Sequence, residues 1–191
     1  MYYFIPFLER DNQSWQTNIV PWYRSPYRLE FDDILHQIRI FKRQELESKM
    51  LWLTYHPHLR YLLHRQDLLE SDVFSVFDAI QNISNEEMHP LQLKDLTWDK
   101  DCDFIYTPFV IAVKQKGALY AEIEFGSEGF ISYITYFKDN KIDFICYFDD
   151  RGFLSSLIEY EGQKPVNRYY YNAKGQWQLR ENLQGEEPII K

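Results

Sequence analysis

The spacing of apolar residues changes character at Trp98 and divides the chain into two unlike halves. In the first half, Tyr2 to Leu8 is an apolar stretch of strand length, followed by the polar loop Arg10 to Ser14 and the segment Pro21 to Pro26. From Phe31 the apolar positions are Phe31, Ile34, Leu35, Ile38 and Phe41. At about 3.6 residues per turn these fall on one face, which predicts a helix ending near Leu46. Met50 to Tyr55 is a continuous apolar run, too short for a helix and suited to a strand buried on both faces. Pro57 fits the first turn of a following helix, with Leu59, Leu62 and Leu63 as its stripe. Asp72 opens another helix, with Val73, Val76, Phe77 and Ile80 on its inner face. Alternating strands and helices predict a parallel α/β sheet.

Beyond Trp98 the helical period is lost. Turn signals stand at Lys116-Gly117, Gly126 to Gly129, Lys138 to Asn140, Asp149 to Gly152, Glu161-Gly162 and Asn172 to Gly175. Between them lie candidate strands 104–115, 118–125, 130–137, 141–148, 153–160, 165–171 and 176–181. Hairpin-length connections predict an antiparallel meander. Both strand faces are apolar, as where Ile142, Phe144, Cys146 and Phe148 alternate with Ile145 and Tyr147. Such a sheet is either covered on both sides or keeps one face for a partner.

Phe, Tyr and Trp make up 18% of the 191 residues, far too many for a disordered chain. The net charge of −8 is spread evenly, and no basic stripe exists to displace counterions from a nucleic acid or to hold an anionic membrane. Cys102 and Cys146 form no CxxC pair, which fits a reduced, cytosolic protein. The N-terminus lacks a basic stretch and meets Pro6 and Glu9 early, so it does not read as a signal peptide.

Candidate chemistry is sparse. Glu30, Asp32 and Asp33 offer carboxylates, but acidic residues in a first helical turn complement the helix dipole. His56, His58 and His64 lack the spacing of a metal motif. Residues 5–20 contain no glycine with which to cradle a phosphate, and neither GxSxG nor Walker A occurs. No catalytic, cofactor-binding or metal residue is assigned. Tyr169, Tyr171 and Trp177 are the candidate protein- or substrate-binding residues, either as a stacking platform or as cross-strand pairs that hold the sheet.

Specific segments carry a family resemblance. They are Tyr2 to Pro6, Pro21-Trp22-Tyr23, Arg28 to Asp33 with Gln37-Ile38-Arg39, His58 to Tyr61 with Leu63 to Gln66, and Val73 to Asp78. Phe104 to Phe109, Glu124-Phe125-Gly126 with Gly129 to Ser132, and Phe148 to Phe153 extend it through the second half. Together they resemble the first, glycosyltransferase-like member of the accessory Sec system trio, over the N-terminal third of a longer protein.

The resemblance implies an α/β plus β chain, part of a Rossmann-like half of a glycosyltransferase B-type fold with an inserted antiparallel extended β-sheet domain. Residues 1–98 would be the partial Rossmann-like region, 99–184 the meander, and 185–191 a truncated return segment. It also implies a non-catalytic role, without cofactor, in export of serine-rich-repeat glycoprotein adhesins. The partners would be that substrate and the two other accessory secretory proteins. The place implied is the cytoplasm, with peripheral association at the inner face of the membrane through the translocase. Two alternatives stay open: a subunit of an active nucleotide-sugar glycosyltransferase, and a carbohydrate-binding β-sheet protein.

Overall fold

The computed structural model describes residues 1–6, 33–84, 87–126 and 128–185, and its first elements form a small parallel sheet. Strand β1 (Tyr2–Phe4), helix α1 (Asp33–Arg43), strand β2 (Ser48–Trp52), helix α2 (Leu59–Arg65), strand β3 (Val73–Ser75) and helix α3 (Val76–Ile80) follow in chain order. Strand β2 is central, and both of its neighbours run parallel to it. Leu35 and Ile38 of α1 meet Met50 and Trp52 of β2 and Leu59, Leu63 and Leu68 in a dry core. Phe41 adds an edge-to-face contact with Phe4 at 5.0 Å.

Three expectations in this half need correction. The stretch expected as one helix from Asp72 begins as β3, because Val73, Phe74 and Ser75 pair with Met50, Leu51 and Trp52 across the free side of β2. The helix starts only at Val76, where the Ser75 hydroxyl accepts the Asp78 amide at 3.2 Å as an N-cap. Pro57 precedes the α2 cap residue His58 rather than lying in the first turn, and its carbonyl accepts the Asp150 amide at 2.9 Å. Helix α1 ends at Arg43, ahead of Glu45 with its positive φ. Phe7, Leu8, the loop 9–20, Pro21 to Pro26, Glu30, Phe31 and Asp32 lie outside the described residues.

After a short 3-10 turn at Leu93–Asp95 the chain builds one eight-stranded antiparallel sheet. Its strands are β4 (Cys102–Tyr106), β5 (Val110–Gln115), β6 (Ala118–Phe125), β7 (Ile131–Lys138), β8 (Lys141–Phe148), β9 (Leu154–Glu161), β10 (Lys164–Tyr171) and β11 (Trp177–Asn182). Each strand pairs with its chain neighbours, so β4 and β11 are the edges. The expected strand 104–115 is two strands. Thr107 turns the chain by donating its hydroxyl to the Val110 carbonyl at 2.7 Å and accepting the Val110 amide at 3.0 Å. The turns Lys116-Gly117 and Asp139-Asn140 carry positive φ at both positions, the hairpin geometry that matches strand twist.

The two faces are covered at opposite ends. On one face Leu91, Leu93, Leu96 and Trp98 pack over Ile111, Val113, Ala121, Ile123, Ile131 and Ile134. The Ile131 amide donates to the Leu91 carbonyl at 2.8 Å and pins that segment. On the other face Tyr55 and Phe77 from the α/β half meet Tyr170 and Leu179 of β10 and β11.

Candidate interaction face of the sheet

Strand alternation sends neighbouring tyrosines of β10 to opposite sides. Tyr170 is 1% exposed, lies edge-on to Tyr55 at 5.0 Å, and donates its hydroxyl to Glu181 at 2.8 Å. Arg168, on the same side, is buried among three rings, its guanidinium carbon 4.5 Å from the Tyr55 centroid, 5.1 Å from Tyr147 and 5.2 Å from Tyr170. Its Nε and Nη2 donate to the Ser156 hydroxyl at 3.2 and 3.1 Å. Burial holds the Tyr55 and Tyr170 hydroxyls above the ordinary tyrosine value, so both stay neutral. This side is an internal joint.

Tyr169 and Tyr171 therefore belong to the opposite side. Tyr169 pairs with Leu157 on β9 and Arg180 on β11. A register shift between Tyr170 and Tyr171 brings Trp177 directly across from Tyr171. Trp177 is 57% exposed, whereas Tyr169 and Tyr171 are half-buried. Burial raises the pKa of the Tyr171 hydroxyl, and Cys146, Glu159 and Tyr169 add to the shift from the same face. Gln81 donates its side-chain amide to the Tyr171 carbonyl at 2.5 Å and to that of Ser155 at 3.0 Å, which fixes the backbone beneath. The structure thus brings the three candidate residues onto one face near the β11 edge.

The row continues inward. Asn167 donates to Glu159 at 3.1 Å, and Phe144 stacks on Tyr136 at 4.6 Å, with Trp98 beyond it. Such a surface offers ring faces with a carboxylate and an amide between them, suited to stacking and hydrogen bonding. Burial pushes the Cys146 thiol on this face up to about 12, away from the reactive thiolate form.

A second group of residues, read in the sequence as a turn and as part of the family resemblance, forms the joint between the halves. After β8 the chain turns through Asp149, Asp150, Arg151 and Gly152 beside α2 and α3. Arg151 donates to both carboxylate oxygens of Asp78 at 3.0 and 2.8 Å and to Asp149 at 2.6 and 2.9 Å. Asp150 accepts the Tyr61 amide at 2.8 Å. Burial and the neighbouring Asp149 push the Asp150 carboxyl up to about 8. The signal was two aspartates and an arginine set before a glycine at the end of an apolar strand.

His56 and His58 belong to this joint. His58 Nε2 lies 3.1 Å from the Phe148 carbonyl, and burial holds the ring down at about 4. His56, desolvated and beside His58, is held at about 3. His64 is exposed on α2, and Arg65 lies over the Tyr61 ring at 5.9 Å. Asp33 occupies the first turn of α1, where the dipole reading puts it. Among the described residues no three His, Cys, Asp or Glu side chains converge on a metal position, and no helix is long and apolar enough to cross a membrane.

The family model of the first accessory Sec system protein, accessory secretory protein 1, matches residues 1–191. The chain belongs to that family. A Streptococcus gordonii member is 52% identical over all 191 residues of this chain, which make up 36% of that protein. The crystal structure of accessory secretory proteins 1, 2 and 3 in Streptococcus pneumoniae superposes with a TM-score of 0.93 at 47% identity, covering 100% of this chain and 39% of the other. This accessory secretory chain therefore spans little more than a third of the relatives it matches. The pneumococcal O-GlcNAc transferase GtfA, solved with UDP and GlcNAc, shares the fold at a TM-score of 0.64 and 11% identity, over 78% of this chain and 31% of that one.

Proposed function

We propose that this chain is part of a non-catalytic component of the accessory Sec system and aids export of serine-rich-repeat glycoprotein adhesins by holding polypeptide on its sheet. Residues 1–98 contribute to a Rossmann-like half of a glycosyltransferase B-type fold, and 99–184 form its inserted sheet domain. The partners are the two other accessory secretory proteins, the glycoprotein substrate, or both, in the cytoplasm at the translocase. The observation that carries this reading is the alternation in β10: Tyr170 is locked inward while Tyr169, Tyr171 and the exposed Trp177 line the other face. Support for the partners comes from the pneumococcal relative, solved together with accessory secretory proteins 2 and 3.

The test is the triple variant Tyr169→Ala, Tyr171→Ala, Trp177→Ala, titrated calorimetrically against accessory secretory proteins 2 and 3 and against a serine-rich-repeat polypeptide. The reading expects weakened binding with an unchanged circular dichroism spectrum; unaltered binding of all three ligands would sink it. The likeness of fold to GtfA keeps a second reading in view, carbohydrate binding, which predicts saturable binding of N-acetylglucosamine glycans by this chain alone.

A further inference from the structure

We propose that β4 and the turn that follows it form a docking edge for an extended polypeptide segment carrying basic residues at one end and an apolar anchor at the other. The proposal takes from the reading above only that the sheet captures polypeptide, and it assigns a second site at the opposite edge.

Among the described residues strand β4 pairs only with β5, so one side of its backbone faces outward as a template for another strand. Edges left open in this way are commonly guarded by lysine, proline or a bulge. Here Ile105 is 43% exposed and Tyr106 69%, and Phe109 on the turn is 53% exposed. The turn is rigid, because the Thr107 amide also donates to the Val110 carbonyl at 3.0 Å, alongside the two hydroxyl bonds already described. A large apolar side chain held out on a fixed turn loses little entropy on binding, as a contact anchor requires. Beside it, Pro108, Phe109, Ile111, Phe125 and Gly126 line an open pocket of about 340 Å³. That volume suits one leucine or phenylalanine side chain with room to enter.

Charge fixes the other end of the occupant. Asp99, Asp101 and Asp103 stand at the start of β4. The Gln115 side chain bridges the first two at 3.1 Å each, and Lys116 reaches Asp101 at 3.9 Å. Lys114 lies opposite Asp103 in the register. After burial itself, Asp101, Asp99 and Asp103 each raise the pKa of the Cys102 thiol between them, and Lys100 stands among them in the sequence. Acidic start and apolar end are separated by the five residues of β4, about 17 Å of extended chain. A strand added here would place lysine or arginine beside Asp101 and Asp103 and seat its apolar residue in the pocket lined by Phe109.

The probe is a fluorescent nine-residue peptide with two lysines at one end, alternating threonine and valine in the middle and Leu-Phe at the other end, with its sequence-reversed form as a second probe. The proposal expects saturable binding of one orientation to the whole chain and slowed amide exchange at residues 102–106. Replacing the lysines by glutamate weakens binding about tenfold or more. In D101K/D103K that preference reverses, and in F109S binding falls at least several-fold. Binding of neither peptide, protection at β11 instead of β4, or indifference to these variants overturns the proposal. So does a concentration-dependent dimer that F109S abolishes, which would give the edge to a second copy. Loss of the peptide in the Tyr169, Tyr171, Trp177 triple variant, with D101K/D103K and F109S unaffected, would refute the edge and leave the sheet-face reading standing.

Discussion

Arg151 grips Asp78, 73 residues earlier in the chain, through both terminal nitrogens, at 3.0 and 2.8 Å. The same guanidinium holds Asp149 on its other side, so one buried cation ties the sheet to α3. Removing it leaves the buried Asp149 carboxylate without its cation. We expect Arg151→Met to destabilise the fold by about 3–5 kcal/mol, the usual cost of breaking a buried ion pair from one side, measured by urea denaturation. A loss below about 1 kcal/mol would show the joint to be held by its apolar contacts alone.

The same joint sets a pH dependence. Asp150 titrates in the fold at about 8, above its unfolded value, so its contribution is complete at low pH and drains away as pH rises from about 4 to 8. His56 and His58 are held down at about 3 and 4, so their contribution is present above about 6.5 and is lost as pH falls. Burial raises the Asp149 carboxyl as well, so the carboxyl and imidazole trends oppose each other between about pH 4 and 6.5, and above 6.5 the carboxyl decline alone remains. In Asp150→Asn the decline between pH 6.5 and 8 flattens while the acid-side decline remains. Melting temperatures of both chains across pH 4 to 9 check this.

Gly152 and Gly175 separate a crowded glycine from an open one. Both have positive φ, but a Cβ on Gly152 would stand 2.1 Å from the His89 carbonyl oxygen, whereas on Gly175 it meets nothing within 4 Å. Gly175→Ala therefore carries only the left-handed penalty, about 1–2 kcal/mol. Gly152→Ala must also push the His89 backbone out of the joint, and it is expected to lower the melting temperature markedly more. Equal losses would contradict this account of the turn.

The meander was legible in the sequence because its turns use residues that tolerate positive φ. Asp139-Asn140 and Lys116-Gly117 announce hairpins without any tertiary help. The turn at 107–110 escaped notice because Thr107 makes it with a hydroxyl, inside a run whose apolar character never breaks. Strand β3 was hidden for a related reason: Val73, Val76 and Phe77 fit a helical stripe, and only pairing with β2 decides that Val73 to Ser75 are extended. Tyr169, Tyr171 and Trp177 could be picked out by residue type. Which of the three consecutive tyrosines turns inward depends on Tyr55 and Phe77, more than 90 residues away in sequence. The joint at Asp149 to Gly152 shows in the sequence as a turn, but its partners Asp78 and Tyr61 come only with the fold.

The central claim is that this chain itself carries an interface for the other accessory secretory proteins. Size-exclusion chromatography with light scattering, on the chain alone and mixed with accessory secretory proteins 2 and 3, tests it most directly. The account predicts co-elution at a defined mass that is lost in the Tyr169, Tyr171, Trp177 triple-alanine variant. A chain that elutes unchanged in the presence of both proteins would contradict it.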